Sequence, residues 1–309
     1  MKHTKNIVML LLTAIIWGFA FCAQSAAMES IGPLAFNMLR SILGGLVLIP
    51  VILFLDRIKS QQEKEIEKGY RRKDLLIGGL CCGVALGTAS AMQQIGIKYT
   101  TVGKAGFITA CYIILVPIFG IFLKKRCSIF VWISIIIAVA GLYLLCMNES
   151  FSIAKGDLFV IACAFLFTFQ ILFIDHFAPK CDCVRLACIQ FFVAGIGSLV
   201  AMFFMEGMPQ LSQIKAALIP ILYAGVMSSG VAYTLQMVGQ KNFNPTIASL
   251  IMSLESTFAA IGGWMLLGQK LTARELGGCA LMFIAIMLSQ VPSASLRTAK
   301  GDESYKLKA

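Results

Sequence analysis

Apolar residues come in long runs separated by short polar linkers. Ten runs can be marked, at 7–27, 33–55, 75–97, 102–123, 128–147, 156–176, 184–205, 214–238, 245–267 and 273–291. A helix needs roughly 20 residues to cross the ~30 Å hydrocarbon layer of a bilayer. The pattern therefore predicts an all-α membrane protein with ten transmembrane helices. Only the linker 56–74 is long. Its seven basic residues are mixed with Glu63, Glu65 and Glu67, which predicts a short surface helix or a solvated anchor.

Composition agrees with the pattern. Of the 309 residues, 59% are hydrophobic and 13% charged, and the mean hydropathy is +0.85. A soluble domain carries about 25% charged residues. The net charge of +11 raises nucleic acid as a partner, but most Lys and Arg sit in the linkers, where charges set membrane orientation. No nucleic-acid partner is expected. Lys2 and Lys5 precede the first apolar run, which is longer than the about 7–15 residues of a signal-peptide core. A retained first span is expected. The eleven cysteines lie mostly inside apolar runs and read as small core residues. Cys181 and Cys183, with His176 nearby, are poorly spaced for a tetrahedral metal site, so no metal and no cofactor is expected.

Counting charges orients the chain. With the N-terminus in the cytoplasm, the inner side collects 19 of 26 Lys and Arg, six fall outside, and Arg40 lies within a span. The positive-inside rule then puts both termini of this cell-membrane protein in the cytoplasm. The second half also echoes the first at an offset of 143: Gln93 meets Gln236, Gly96 meets Gly239, and Tyr112 meets Glu255. Five spans is an odd number, so two such halves face opposite ways. The expected plan is two inverted five-helix repeats, 1–150 and 151–309, the second ending in a cytoplasmic tail. Such plans recur in secondary transporters, with the site at the repeat interface near mid-bilayer.

Glu255 is the only acidic residue of its run. A carboxylate at that depth costs at least a few kcal/mol unless it is protonated, paired or wetted. It reads as a site for a cationic group or a proton, or as a neutral hydrogen-bonded carboxyl between helices. Arg40 could snorkel to a headgroup, pair with Glu255 as its counter-charge, or hold an anionic group of a substrate. Asn37, one turn earlier, faces a similar way. Buried amides such as Gln93, Gln94 and Gln236 act as glue between helices or as cavity lining. Trp17, Tyr112 and Tyr233 are positioned to pack or to stack on a solute. Gly79, Gly83 and Gly87 recur every four positions, which lets helices approach closely, within one chain or in a homodimer. Pro117 removes a backbone bond from the fourth span and predicts a kink near Tyr112. No phosphate loop or nucleophile–base pair is present, and no catalytic residue is expected.

Three stretches carry a family resemblance: Trp17-Gly18-Phe19, Phe36-Asn37-Met38-Leu39-Arg40, and SLESTFAAIGGWMLLGQKLTARELGG from Ser253. Their order resembles EamA-type permeases of the drug/metabolite transporter superfamily, over nearly the whole chain. Ser256 stands where that family often has Pro, and Gln269 replaces an acidic residue common before the last helix. The resemblance implies a secondary transporter that moves small metabolites, often exporting amino acids or related solutes, by alternating access about a mid-membrane cavity, with or without protons. The alternatives are a nucleotide-sugar or lipid-linked flippase-like carrier of the same superfamily, and a non-transporting membrane scaffold.

The orientation is directly testable. A reporter fused after Ala309 is expected to be active in the cytoplasm; activity only outside overturns the charge count.

Overall fold

The computed structural model describes residues 2–99, 102–125, 128–146, 155–267 and 272–291. The expected boundary at 150/151, the ninth-span ending at Gly268-Gln269-Lys270, Arg126 and the tail 292–309 lie outside the described residues. Among the described residues every regular element is helical. They are α1 (Lys2–Ala27), α2 (Pro33–Ile58), α3 (Gln61–Lys68), α4 (Arg72–Tyr99), α5 (Val102–Ala110), α6 (Tyr112–Phe122), α7 (Ile129–Cys146) and α8 (Lys155–Phe177). The chain continues with α9 (Cys183–Met205), α10 (Leu211–Ala216), α11 (Leu218–Leu222), a π-helical stretch (Tyr223–Ala232), α12 (Tyr233–Gln240), α13 (Pro245–Met252), α14 (Glu255–Leu267) and α15 (Ala273–Ser289). Nine spans among the described residues are long and apolar enough to cross a membrane. The expected tenth run forms α15, 17 residues long.

The starts of the helices are chemically defined. α13 begins with Pro245 at a position where a missing N–H costs nothing, and Asn244 Oδ1 accepts from Thr246 N at 2.9 Å. Thr272 and Glu275 form a capping box on α15. α2 has no side-chain cap of its own. The Glu206 carboxylate, just past α9, accepts instead from Leu34 N (3.0 Å) and Ala35 N (3.1 Å), a favourable place for negative charge. The small-residue seam of α4 is used within the chain. A Cβ on Gly83 would stand 2.6 Å from the Val193 Cβ of α9 and 2.8 Å from the Gln190 carbonyl oxygen, so only glycine allows this approach.

Three of the expected runs are broken, the fourth run beside Tyr112, where Pro117 predicts a kink. The fourth span breaks at Cys111, ahead of Pro117, which sits inside α6 without ending it. The eighth widens into the π-helical stretch, which contains Gly225 and Gly230. The ninth breaks at Ser253-Leu254, immediately before Glu255, although Ser256 is not Pro. The physical reason at the ninth lies in the hydroxyls. Ser249 Oγ donates to Thr246 O (2.8 Å) and Ser253 Oγ to Leu250 O (2.7 Å), competing with the backbone for carbonyls of the same turn. Tight turns recover the freed amides: Leu254 N donates to Ile251 O and Cys111 N to Ile108 O, each at 3.2 Å.

At one end of the bundle the long linker is fastened down. Lys59 Nζ donates to Asp56 Oδ1 and to Asp182 Oδ2, each at 3.0 Å, and also contacts Glu67 of α3. Arg185 of α9 reaches Asp56 at 2.7 Å. Lys241, in the α12–α13 linker, donates to Tyr70 Oη at 3.0 Å. Burial would pull Lys59 down, but its hydrogen bonds to Glu67, Asp182 and Asp56 outweigh it and raise its pKa above the ordinary value. For Asp182, burial raises the pKa, while the Arg185 N–H and Lys59 outweigh it and hold the carboxyl below its ordinary 3.8. A carboxyl lowered on folding stabilises above its unfolded pKa, and that stabilisation is lost as pH falls through the lowered folded value. The attachment of α3 is therefore expected to hold unchanged from neutral pH down to about pH 5 and to fail only in stronger acid. Asp182→Asn keeps a helix cap but removes the charge. It should raise amide exchange in Gln61–Lys68 several-fold at neutral pH. Exchange equal to that of the parent chain would show that the ion network contributes nothing there.

Candidate functional site

The two breaks in the fourth and ninth spans bring two side chains together. Tyr112 is the first residue of α6 and Glu255 the first of α14. Tyr112 Oη donates to Glu255 Oε1 at 3.3 Å, and the two positions are 143 residues apart. Both are buried, at 3% and 6% exposure. A half-helix N-terminus is a favourable place for a carboxyl, because the first amides lack intrahelical partners.

Beside this pair lies a cavity of about 30 Å³, lined by Trp17, Arg40, Gln93, Tyr112, Gln236 and Glu255 among others. That is room for roughly two waters. Trp17 stacks at a tilt on Tyr233, ring centroids 4.6 Å apart, and its Nε1 has no hydrogen-bond partner among the described residues. Gln93 Nε2 donates to Thr109 Oγ1 at 3.3 Å. Gln236 and Gln170 exchange hydrogen bonds amide to amide at 3.3 and 3.4 Å, and Gln170 also donates to Gln190 Oε1 at 3.2 Å. Gln93 and Gln236 are thus both glue and lining.

Two expected site residues stand elsewhere. Gln94 does not reach the cavity. Its Nε2 lies 3.3 Å from the Met28 sulfur, because successive helical residues point about 100° apart and only Gln93 faces inward. Asn37 is buried behind Arg40, not on the cavity wall. Arg40 is only 4% exposed, so it does not snorkel, and no ion pair within 4.0 Å joins it to Glu255. Its Nε donates instead to Asn37 Oδ1 at 3.0 Å. Thr109, Ser228 and Met252 also line the cavity. No period or charge in the sequence distinguishes them from other small or apolar positions. His176 lies 2.6 Å from Lys180 Nζ, and the thiols of Cys181 and Cys183 point at backbone carbonyls.

A buried acid and a buried arginine thus line one water-sized cavity in a bundle of helices long and apolar enough to cross a membrane. The profile of the EamA-like transporter family matches residues 4–147 and again 154–290, and the chain belongs to that family. It is 28% identical over 285 residues to an uncharacterized transporter of Archaeoglobus fulgidus, covering 90% of this chain and 83% of that one. It is 22% identical over 280 residues to the uncharacterized transporter YoaV of Bacillus subtilis, covering 89% and 93%. One solved crystal structure superposes with a TM-score of 0.76 at 15% identity, over 93% of this chain and 96% of that chain, a likeness of fold.

The position of Glu255 depends on how closely α1 and α14 approach. A Cβ on Gly18 would stand 2.5 Å from the Phe258 Cβ and 2.8 Å from the Ala259 backbone nitrogen. Gly18→Ala forces backbone apart and is expected to cost about 1–3 kcal/mol, read as a lower thermal unfolding temperature in detergent. An unchanged temperature would mean the two helices have slack.

Proposed function

We propose that this protein is a secondary transporter for a small metabolite, an amino acid or related solute, working by alternating access. In this reading ten spans form two inverted five-helix halves, 1–150 and 151–309, with α15 as the last span, and export is the direction implied by the family resemblance. One observation carries it: the residues that open the second segments of two broken helices, Tyr112 and Glu255, meet beside a cavity and are 143 residues apart, the offset at which the second half of the sequence echoes the first. Discontinuous helices meeting near mid-membrane are the usual architecture of such sites. The family profile matching the chain twice supports the two-half plan. So do the ends of α2 and α9. Asp56 at the end of α2 reaches Arg185 in the first turn of α9, and Glu206 after α9 reaches the first amides of α2.

The cavity volume sets the mechanism. About 30 Å³ admits water but no metabolite, so the helices must part for a solute to enter. Glu255 then receives the cationic group of the solute, or a proton, when Tyr112 releases it.

The test is flux through the chain reconstituted in liposomes. Glu255→Gln preserves shape and is expected to lower transport at least about 10-fold while the protein stays folded and inserted. Flux equal to that of the parent chain removes Glu255 from the mechanism.

A further inference from the structure

We propose that Arg40 is an oxyanion-binding subsite of the cavity, and that Asn37 and Ser198 are the positioning residues that aim it; this rests on the transport reading above. A guanidinium carries five N–H donors in a planar fork. Nε uses one on Asn37 Oδ1 at 3.0 Å. Among the described residues, neither terminal nitrogen of Arg40 makes a hydrogen bond or ion pair, although the side chain is 4% exposed and lines the cavity. A buried cation with an open fork is costly to maintain, and Glu255 is not close enough to neutralise it. Carboxylate and phosphate oxygens match that fork two at a time.

The aim of the fork is fixed from behind. Asn37 Nδ2 donates to Ser198 Oγ at 2.9 Å and to the Gly87 carbonyl at 3.3 Å, while Ser198 Oγ–H donates to the Ala194 carbonyl at 2.8 Å. These bonds leave Asn37 Oδ1 pointing at Arg40 and tie α2 to α4 and α9. Ser198 belongs to the second half of the chain, so the orientation of a first-half cation depends on the other half. With Glu255 as the acidic pole, the cavity then suits a solute carrying both an oxyanion and a cationic group.

The test uses the full chain in liposomes, assayed by exchange with three pools: the proteinogenic L-amino acids, their decarboxylated amines, and inorganic phosphate. The expected result is exchange of the amino acids and not of the amines. Exchange of phosphate instead supports the subsite and identifies the oxyanion as phosphate. Amines exchanging as well as the acids, or no exchange of either oxyanion pool, overturns it. For the oxyanion exchanged, Arg40→Lys should raise KM at least about 10-fold, and Ser198→Ala by roughly 3–10-fold with the maximal rate near that of the parent chain. Ser198→Thr, which keeps the hydroxyl, should restore KM. A Ser198→Ala variant with unchanged KM, or one losing only maximal rate, overturns the positioning role. Flux confined to amines sinks the subsite and leaves the transport reading standing. Acids exchanging normally in Glu255→Gln removes Glu255 and leaves the subsite standing.

Discussion

A carboxyl group inside a membrane-spanning segment, bonded to one phenol, is the constraint around which the rest of the bundle is arranged. Glu255 cannot face lipid without a cost of several kcal/mol, and it cannot sit in a dry core without a partner. The fold answers by interrupting two helices. Each interruption leaves a half-helix N-terminus at the bundle interior, and Tyr112 and Glu255 occupy those two positions. The serine hydroxyls that back-bond at 249 and 253 make the break without proline. Gly18 lets α1 lie close enough to α14 to wall the site with Trp17.

The same arrangement divides the molecule into a tightly joined frame and a polar centre. α4 packs extensively on α8 and α9, and α9 on α2, with glycine seams that leave no slack. At one end, Lys59 gathers acids from α2, α3 and the start of α9; beyond the end of α9, Glu206 caps α2. The centre is held by single hydrogen bonds between amides, hydroxyls and one acid. Such bonds are worth about 1 kcal/mol each and are exchangeable for bonds to water or solute. On the proposed reading, rearrangement happens where the bonds are weak and replaceable, and the frame transmits it.

Much of this was legible in the chain because membrane insertion writes strongly into sequence. Long apolar runs fix the spans, and a lone acid in such a run has few reasons to exist. The offset that relates Gln93 to Gln236 and Tyr112 to Glu255 was visible in the sequence, but of these only Tyr112 and Glu255 bond to each other. Pro117 pointed to the break beside Tyr112, but the other breaks were not visible, since a serine in an apolar run gives no sign of whether its hydroxyl will compete with the helix. Only the offset to Gln236 favoured Gln93 over Gln94 until the helix phase was known. Asn37 and Arg40 are one turn apart and readable as neighbours, but Ser198, which holds Asn37, lies 161 residues away. The linker 56–74 suggested a surface helix; that it would be pinned by Asp182 depended on tertiary contacts alone.

The central claim is that the space beside Glu255 opens to admit a solute. Carbodiimide labelling of the full chain in liposomes, read at Glu255 by peptide mass spectrometry, tests this most directly. A dicyclohexyl carbodiimide is far larger than the cavity of about 30 Å³, so it can reach the carboxyl only when the helices part. The account predicts that Glu255 is labelled and that the translocated solute at saturating concentration blocks the labelling. A Glu255 that never reacts, or that reacts equally with solute bound, would contradict it.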